Sequence, residues 1–285
     1  MHRYWLVCGL AAILSFAAER QVDPTWLRRQ VMEVPAVATG ASGVKYRALF
    51  GEGAEGARIL RGVVRYGEMI VEAGAATAEN TLAGEEQAHV VLDGSGIIHY
   101  NGSEQPLRRN DFYYIAPGSR HQIRNNSKGQ LRIVVMGFRT KGNPALPAPA
   151  SLQIANIDDV PLQVVGGHPP STKYRLLMGD RKSTRDRIAA GEVLTSLFIM
   201  EFEPGGTNFP HHHETEEEIY LVLEGSGDMV AGGGTDGVEG RHPAKAGHAY
   251  AFRLNCTVGF YNAGPPNTAK ARILAVRSLF PFRGR

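Results

Sequence analysis

Gly205-Gly206-Thr207-Asn208-Phe209-Pro210-His211-His212-His213-Glu214-Thr215-Glu216-Glu217-Glu218 runs directly into Ile219-Tyr220-Leu221-Val222-Leu223-Glu224-Gly225-Ser226-Gly227. The first part concentrates three of the ten histidines beside four carboxylates, and the second is a β-branched and aromatic run closed by glycines. In extended chain, residues two apart share a face. His211 and His213 therefore point together, His212 points away, and Glu218 can return to their face as the next strand begins. Two imidazoles and one carboxylate suit Mn, Fe(II), Co, Ni or Zn. The plainer alternative is a solvated polar loop whose charged surface is Glu214, Glu216 and Glu217.

Working outward, the end of this stretch has a twin. Val222-Leu223-Glu224-Gly225-Ser226-Gly227 matches Val91-Leu92-Asp93-Gly94-Ser95-Gly96, and Glu203-Pro204-Gly205 matches Glu72-Ala73-Gly74, both at an offset of 131 residues. Lys173-Tyr174-Arg175-Leu176-Leu177-Met178-Gly179 returns to Lys45-Tyr46-Arg47-Ala48-Leu49-Phe50-Gly51 at an offset of 128. Ordered matches at nearly one spacing mark a duplication. The segments around them, such as 59–72, 112–115, 193–203, 219–223 and 271–276, are rich in strand-forming residues and separated by Gly, Asn and Asp. The expectation is an all-β chain with one double-sheet barrel in each half, a form that hides strand edges. Residues 18–141 form the first unit, 142–172 a proline-rich linker and 173–285 the second. The one helical turn expected is short, capped by Asp23-Pro24 and running through Trp26-Leu27-Arg28-Arg29.

Charge excludes one class of partner. Residues 18–150 carry 16 Lys+Arg against 13 Asp+Glu, and residues 151–285 carry 14 against 15. Neither half has the basic excess that phosphate neutralisation needs, so no nucleic-acid partner is expected. His2 and Arg3 followed by the apolar run 4–16 and then Ser15-Phe16-Ala17 read as a signal peptide, residues 1–17, cleaved after Ala17. The alternative is an uncleaved anchor, although 13 apolar residues are short for a bilayer. The chain is thus expected to be exported, periplasmic or extracellular, with no stable membrane span after cleavage. Cys8 would leave with the signal, which leaves Cys256 alone as a buried small hydrophobe with no disulfide partner.

The spacing of Gly205, His211, His213, Glu218 and Gly225 resembles the first motif of the cupin superfamily at every defined position. The second motif is worn in this half. Gly247 and Asn262 remain, but His248, Arg253 and Asn255 replace an Asp, a Pro and a Gly, and Val258 stands where the family has its fourth metal ligand. In the first half Asn80, Leu82 and Gln87 stand in the ligand positions, while Asp111, Gly118, His121 and Asn125 keep the second motif. The chain is similar to the bicupins over most of its length. That resemblance implies two tandem cupin-like, jelly-roll type barrels and a divalent metal ion (Fe, Mn, Ni or Zn) on His211, His213 and Glu218. It also puts dioxygenase chemistry on a small organic molecule first, ahead of isomerase, decarboxylase and aminohydrolase activities.

The remaining candidates follow from position. Phe198, Met200 and Phe202 have the period of a strand's inner face, and with Tyr220 and Val258 they are candidates to line a substrate cavity. In the first half Gln87, His89 and His121 are a remnant site whose histidines are expected to be buried and hydrogen-bonded rather than metal-bound. His242 and His248 are expected outside the barrel interior. Two other classes of function stay open at this point: a barrel that binds a small molecule or metal without catalysis, and a structural or interaction protein. A homo-oligomer is compatible with either.

Overall fold

A computed structural model describes residues 24–54, 59–141, 149–233, 239–262 and 269–281. The segment 1–17, expected to be a signal peptide, lies outside these residues. Among the described residues the chain is all-β, with only two 3₁₀ turns, at Val31–Glu33 and Ile157–Asp159. No helix there is long and apolar enough to cross a membrane.

Each half is a large sheet facing a small one. In the first half the large sheet runs, edge to edge, through Gln153–Asn156, Asp111–Ile115, Glu85–Asp93, Leu131–Arg139, Val63–Val71, Val44–Gly51 and Val37–Ala38. Its small sheet is Asn80–Thr81, Arg120–Arg124, Ser95–Tyr100 and Ser103–Arg108. In the second half the large sheet is Trp26–Gln30, His248–Phe252, Glu216–Glu224, Ala271–Leu279, Leu194–Phe202, Thr172–Asp180 and Ile188–Gly191, opposite Glu239–Lys245, Ser226–Gly232 and Thr257–Asn262. This is the expected pair of jelly rolls, with one departure at each boundary.

The strand that opens each half belongs to the sheet of the other. Trp26–Gln30 pairs antiparallel with His248–Phe252, matching Gln30 to His248 and Trp26 to Phe252. Gln153–Asn156 pairs antiparallel with Asp111–Ile115, matching Asn156 to Asp111. Each is followed by one of the 3₁₀ turns. The helical turn expected at Trp26–Arg29 is therefore a strand. Its local capping signals are overridden by the open edge of His248–Phe252, which supplies backbone partners for the whole segment. The segment 142–172 is likewise more than a linker. Residues 142–148 lie outside the described residues, but Gln153–Asn156 completes the first sheet and Ile157 and Val160 are buried.

The central strands of the large sheets are buried on both faces, which makes three cores. One lies inside the first jelly roll around Val71, Ile98, Tyr113 and Ile133. A second lies inside the other, around Phe202, Tyr220, Met229, Phe260 and Cys256. The third is between the two large sheets, where Phe50, Tyr66, Val90 and Phe112 meet Leu197, Ile199, Ile219 and Leu221. Alternation along Glu216–Glu224 sorts its residues accordingly. Ile219 and Leu221 join the core between the halves, while Tyr220 and Val222 face into the second jelly roll. Glu217 also points between the halves and is 1% exposed. It is thus no part of a charged surface: its carboxylate accepts the backbone amides of Arg61 and Gly62 at 2.7 and 2.8 Å.

The repeated glycines close the tight turns. Gly94 and Gly225 take φ of +83° and +78°, and a β-carbon on either would collide with backbone of the facing strand. Only glycine combines that backbone with that approach, so both copies retain it. The closing asparagines are structural ties. Asn125 donates to the carbonyls of Val71 and Gly129, and Asn262 to those of Phe202, Glu203 and Ala269. Asn255, which replaces a motif glycine, still adopts the left-handed conformation (φ 60°), as asparagine can.

Candidate metal centre

His211 and His213 sit on the segment that enters the strand Glu216–Glu224, and Glu218 is the third residue of that strand. One ligand atom from each lies within 4.8 Å of the others. Both histidines are half-buried and Glu218 is buried, whereas His212 is exposed. The imidazole centroids of His211 and His213 are 5.0 Å apart and nearly perpendicular. His211 Nδ1 lies 2.8 Å from the carbonyl oxygen of Phe209. That bond places the proton on Nδ1 and leaves the Nε2 lone pair for a ligand.

The donor atoms have the character of a metal site. His213 Nε2 and Glu218 Oε2 face each other at 3.2 Å, yet neither buried atom makes a well-formed hydrogen bond. Burial alone would raise the Glu218 carboxyl, but His213, Arg277 and His211 outweigh it and hold the group below its ordinary range. A carboxylate kept ionised beside two imidazoles is the donor set that a borderline divalent ion prefers. Arg277 backs it, with NH1 3.2 Å from Glu216 and Nε 3.9 Å from Glu218, and its guanidinium lies 5.6 Å over the Phe198 ring.

The cluster forms one wall of a cavity of about 250 Å³, near the small end for organic ligands. Phe198, Met200 and Tyr220 line it as the spacing predicted. Val258 does not. It is buried in the core, and its backbone pairs with that of His211 through bonds of 2.9 and 2.8 Å. The residue in the family's fourth ligand position therefore supports His211 through the main chain and offers no side-chain donor.

Sequence reasoning missed much of the cavity. Tyr174, Arg185, Ser196, Asn208, Arg277 and His168 all line it. His168 lies in the segment read as linker, and only the three-dimensional path brings it back. Tyr174 has a buried hydroxyl without a hydrogen-bond partner, and burial raises it far above the ordinary phenol range. Burial does the same to Tyr220, whose oxygen accepts a bond from Asn208 Nδ2 at 3.1 Å. Both tyrosines are protonated donors at any ordinary pH.

The first jelly roll has its own cavity, of about 260 Å³, lined by Tyr46, Arg65, Asn80, Leu82, Gln87, His89 and His121 among others. Its central polar groups are engaged with one another, whereas the buried Tyr46 hydroxyl has no hydrogen-bond partner. Arg65 grips Glu85 through two bonds, Gln87 donates to Glu85, and His89 bonds to Gln87 through Nε2 and to Tyr113 through Nδ1 at 2.9 and 3.0 Å. With both nitrogens used, His89 has no lone pair to give a metal. His242 and His248 stay away from both cavities. The former lies against Trp26, with centroids 4.2 Å apart, and the latter opens an edge-side strand.

A duplicated all-β chain of two jelly rolls, one of them holding a His-His-Glu cluster that could bind a metal ion, defines the class of protein. The chain belongs to the cupin family: the family model described as the cupin domain matches residues 67–137 and again 198–276. Among solved structures it is similar to a Pseudomonas aeruginosa protein named for induction by glyoxylate, with 16% identity, TM-score 0.69 and coverage of 92% of this chain and 91% of that one. It is similar to Lactobacillus farciminis oxalate decarboxylase in its formate complex (13%, TM-score 0.62, 88% and 85%). It is also similar to procruciferin, an 11S globulin from Brassica napus (12%, TM-score 0.66, 93% and 86%). No curated protein matches the sequence. At these identities the likeness is one of fold, shared by an enzyme and a globulin alike.

Proposed function

We propose that the second jelly roll is a divalent-metal-dependent enzyme site acting on a small, partly apolar organic molecule outside the cytoplasm, with dioxygenase chemistry the first to test. The observation that carries this reading is the convergence of His211, His213 and Glu218 on one wall of a ligand-sized cavity. A bound divalent ion would supply Lewis acidity toward a substrate oxygen and, if it is iron, oxygen activation. The protein's own groups do the rest. Phe198, Met200 and Leu176 offer an apolar wall for the carbon skeleton, and Tyr174 has an unspent O–H for a substrate oxygen. His213 and then Arg277 keep Glu218 ionised against its burial. The N-terminal signal segment supports export.

Metal analysis of the purified full chain beside the double variant His211→Ala/His213→Ala, after exposure to Fe, Mn, Ni and Zn, tests the proposal. Near-stoichiometric metal in the parent and none in the variant is expected, and substrate screens under oxygen then follow. Metal in neither would overturn it and leave a metal-free binding barrel, the second reading, which the engaged polar groups of the first cavity favour for that half.

A further inference from the structure

His168 lines the second cavity together with His211, His213 and Glu218, from the turn Val165-Gly166-Gly167-His168 that precedes the repeat, held by the His168 amide on the Val165 carbonyl at 3.2 Å. Its Nδ1 is 3.2 Å from the carbonyl of Asn208. The next carbonyl, of Phe209, is the one that anchors His211. The carbonyl before it, of Thr207, accepts the hydroxyl of Thr172 at 2.7 Å. Three consecutive carbonyls are thus each committed to a side chain, and two of those side chains are imidazoles fixed in the same way. Phe209 takes φ of +55° at this point, a conformation that a bulky residue rarely adopts. It turns adjacent carbonyls toward two different histidines.

We propose that His168 is a further ligand of the metal held by His211, His213 and Glu218, delivered from outside the barrel strands into the position that Val258 leaves without a donor. This rests on the metal-site reading above. Two imidazoles that share an ion through Nε2 at about 2.1 Å keep their ring centroids about 4.5 to 6.4 Å apart, depending on the angle at the ion. The His211–His213 separation of 5.0 Å and the His168–His211 separation of 6.0 Å both fall in that interval. Anchoring Nδ1 on a backbone carbonyl is the arrangement that presents Nε2 to a metal. His168 stands outside the 4.8 Å cluster of the other three, so sharing the ion requires its side chain to close on them. Its turn permits that, since Gly166 and Gly167 have no neighbouring atoms where a β-carbon would lie.

The test is Co(II) and Mn(II) binding to the full chain, with affinity measured by chelator competition and the coordination sphere by Co(II) visible absorption and a pulsed-EPR count of imidazole nitrogens. The parent is compared with His168→Ala, His168→Gln and His211→Ala/His213→Ala. Expected are one ion per chain in both His168 variants, at least roughly tenfold weaker than in the parent, one imidazole fewer, and an altered Co(II) spectrum. His168 is half-buried in a surface turn, and unchanged circular dichroism checks that the variants fold. Parent-like affinity and spectrum in both His168 variants, with binding abolished in His211→Ala/His213→Ala, would sink the His168 assignment and leave the three-residue site standing. A parent that binds neither ion would sink both.

Discussion

Glu86 and Glu217 occupy the same place in the two copies, 131 residues apart, and each reaches out of its own half to hold backbone of the other. Glu86 accepts the amides of Glu192, Val193 and Leu194 at 2.7, 2.8 and 2.6 Å, together with the hydroxyl of Tyr114. Glu217 accepts those of Arg61 and Gly62. Burial pushes both carboxyls up, against the pull of these hydrogen bonds. The two residues clasp the halves together at both ends of a pseudo-twofold interface.

Removing one clasp strands its amides in a dry interface. Glu86→Ala is expected to cost about 3 kcal/mol or more, because each buried donor left unpaired costs roughly 1–3 kcal/mol. Glu86→Gln, which keeps the volume and one acceptor, should cost less. Urea unfolding followed by tryptophan fluorescence and circular dichroism measures both. An Ala variant within 0.5 kcal/mol of the parent, roughly the scale of a neutral surface change, would show that the clasp is not holding the halves together.

Metal should act as a stabiliser through the second half. Free ion at about a hundred times its dissociation constant adds about 2.7 kcal/mol by mass action. The thermal midpoint of the parent should therefore rise with added Mn(II) or Co(II), and that of His211→Ala/His213→Ala should not. Equal shifts in the two proteins would place the binding elsewhere.

The first half should be sensitive to acid. Burial first, then His121 and Arg65, keep the His89 imidazole well below the ordinary histidine value of about 6.5. The unfolded chain takes up a proton below that value, and the folded chain does not. This contribution is therefore fully present above about pH 6.5 and is lost as the pH falls toward the depressed folded value, by up to about 1.4 kcal/mol per pH unit. Urea midpoints between pH 7.5 and 5.5 should fall in the parent, and His89→Gln should flatten the slope. An unchanged slope would assign the acid sensitivity to other groups.

Phe209 should trade stability against ligand geometry. It is 51% exposed and held at positive φ, so Phe209→Gly is expected to stay within about 1 kcal/mol of the parent despite losing the ring, since glycine accepts that backbone freely. Phe209→Val, stiff and branched, should cost roughly 1–2 kcal/mol. Both should weaken metal binding, because the carbonyl that orients His211 is then less firmly aimed. Thermal unfolding and chelator competition on the same samples separate the two effects.

What could be read from the sequence was whatever is encoded by spacing within one segment. The doubled fold showed in the glycines at 94 and 225, because a turn that admits no β-carbon leaves the same mark wherever it recurs. The His211-His213-Glu218 cluster showed because strand geometry puts alternate residues on one face. His168, Arg277 and Tyr174 come to the same cavity from three separate segments, and no periodicity connects them. Glu217 was misread for a different reason. The residues before it, Glu214 to Glu216, are exposed or half-buried, and only a second sheet behind the strand makes its face an interior one. The Trp26–Gln30 strand was misread because its partner lies more than two hundred residues away.

The exchange of opening strands has a consequence for how this protein can be taken apart. A cut between the copies ahead of Gln153 hands each fragment an edge strand tailored to the other and leaves its own sheet one strand short, with open backbone along His248–Phe252 or Asp111–Ile115. Neither fragment is a module that could be grafted or expressed as a unit. Although the chain was written twice, it is spliced into one inheritance: the copies can diverge in chemistry, as the ligand cluster in one and the engaged polar chain in the other show, but they cannot part company.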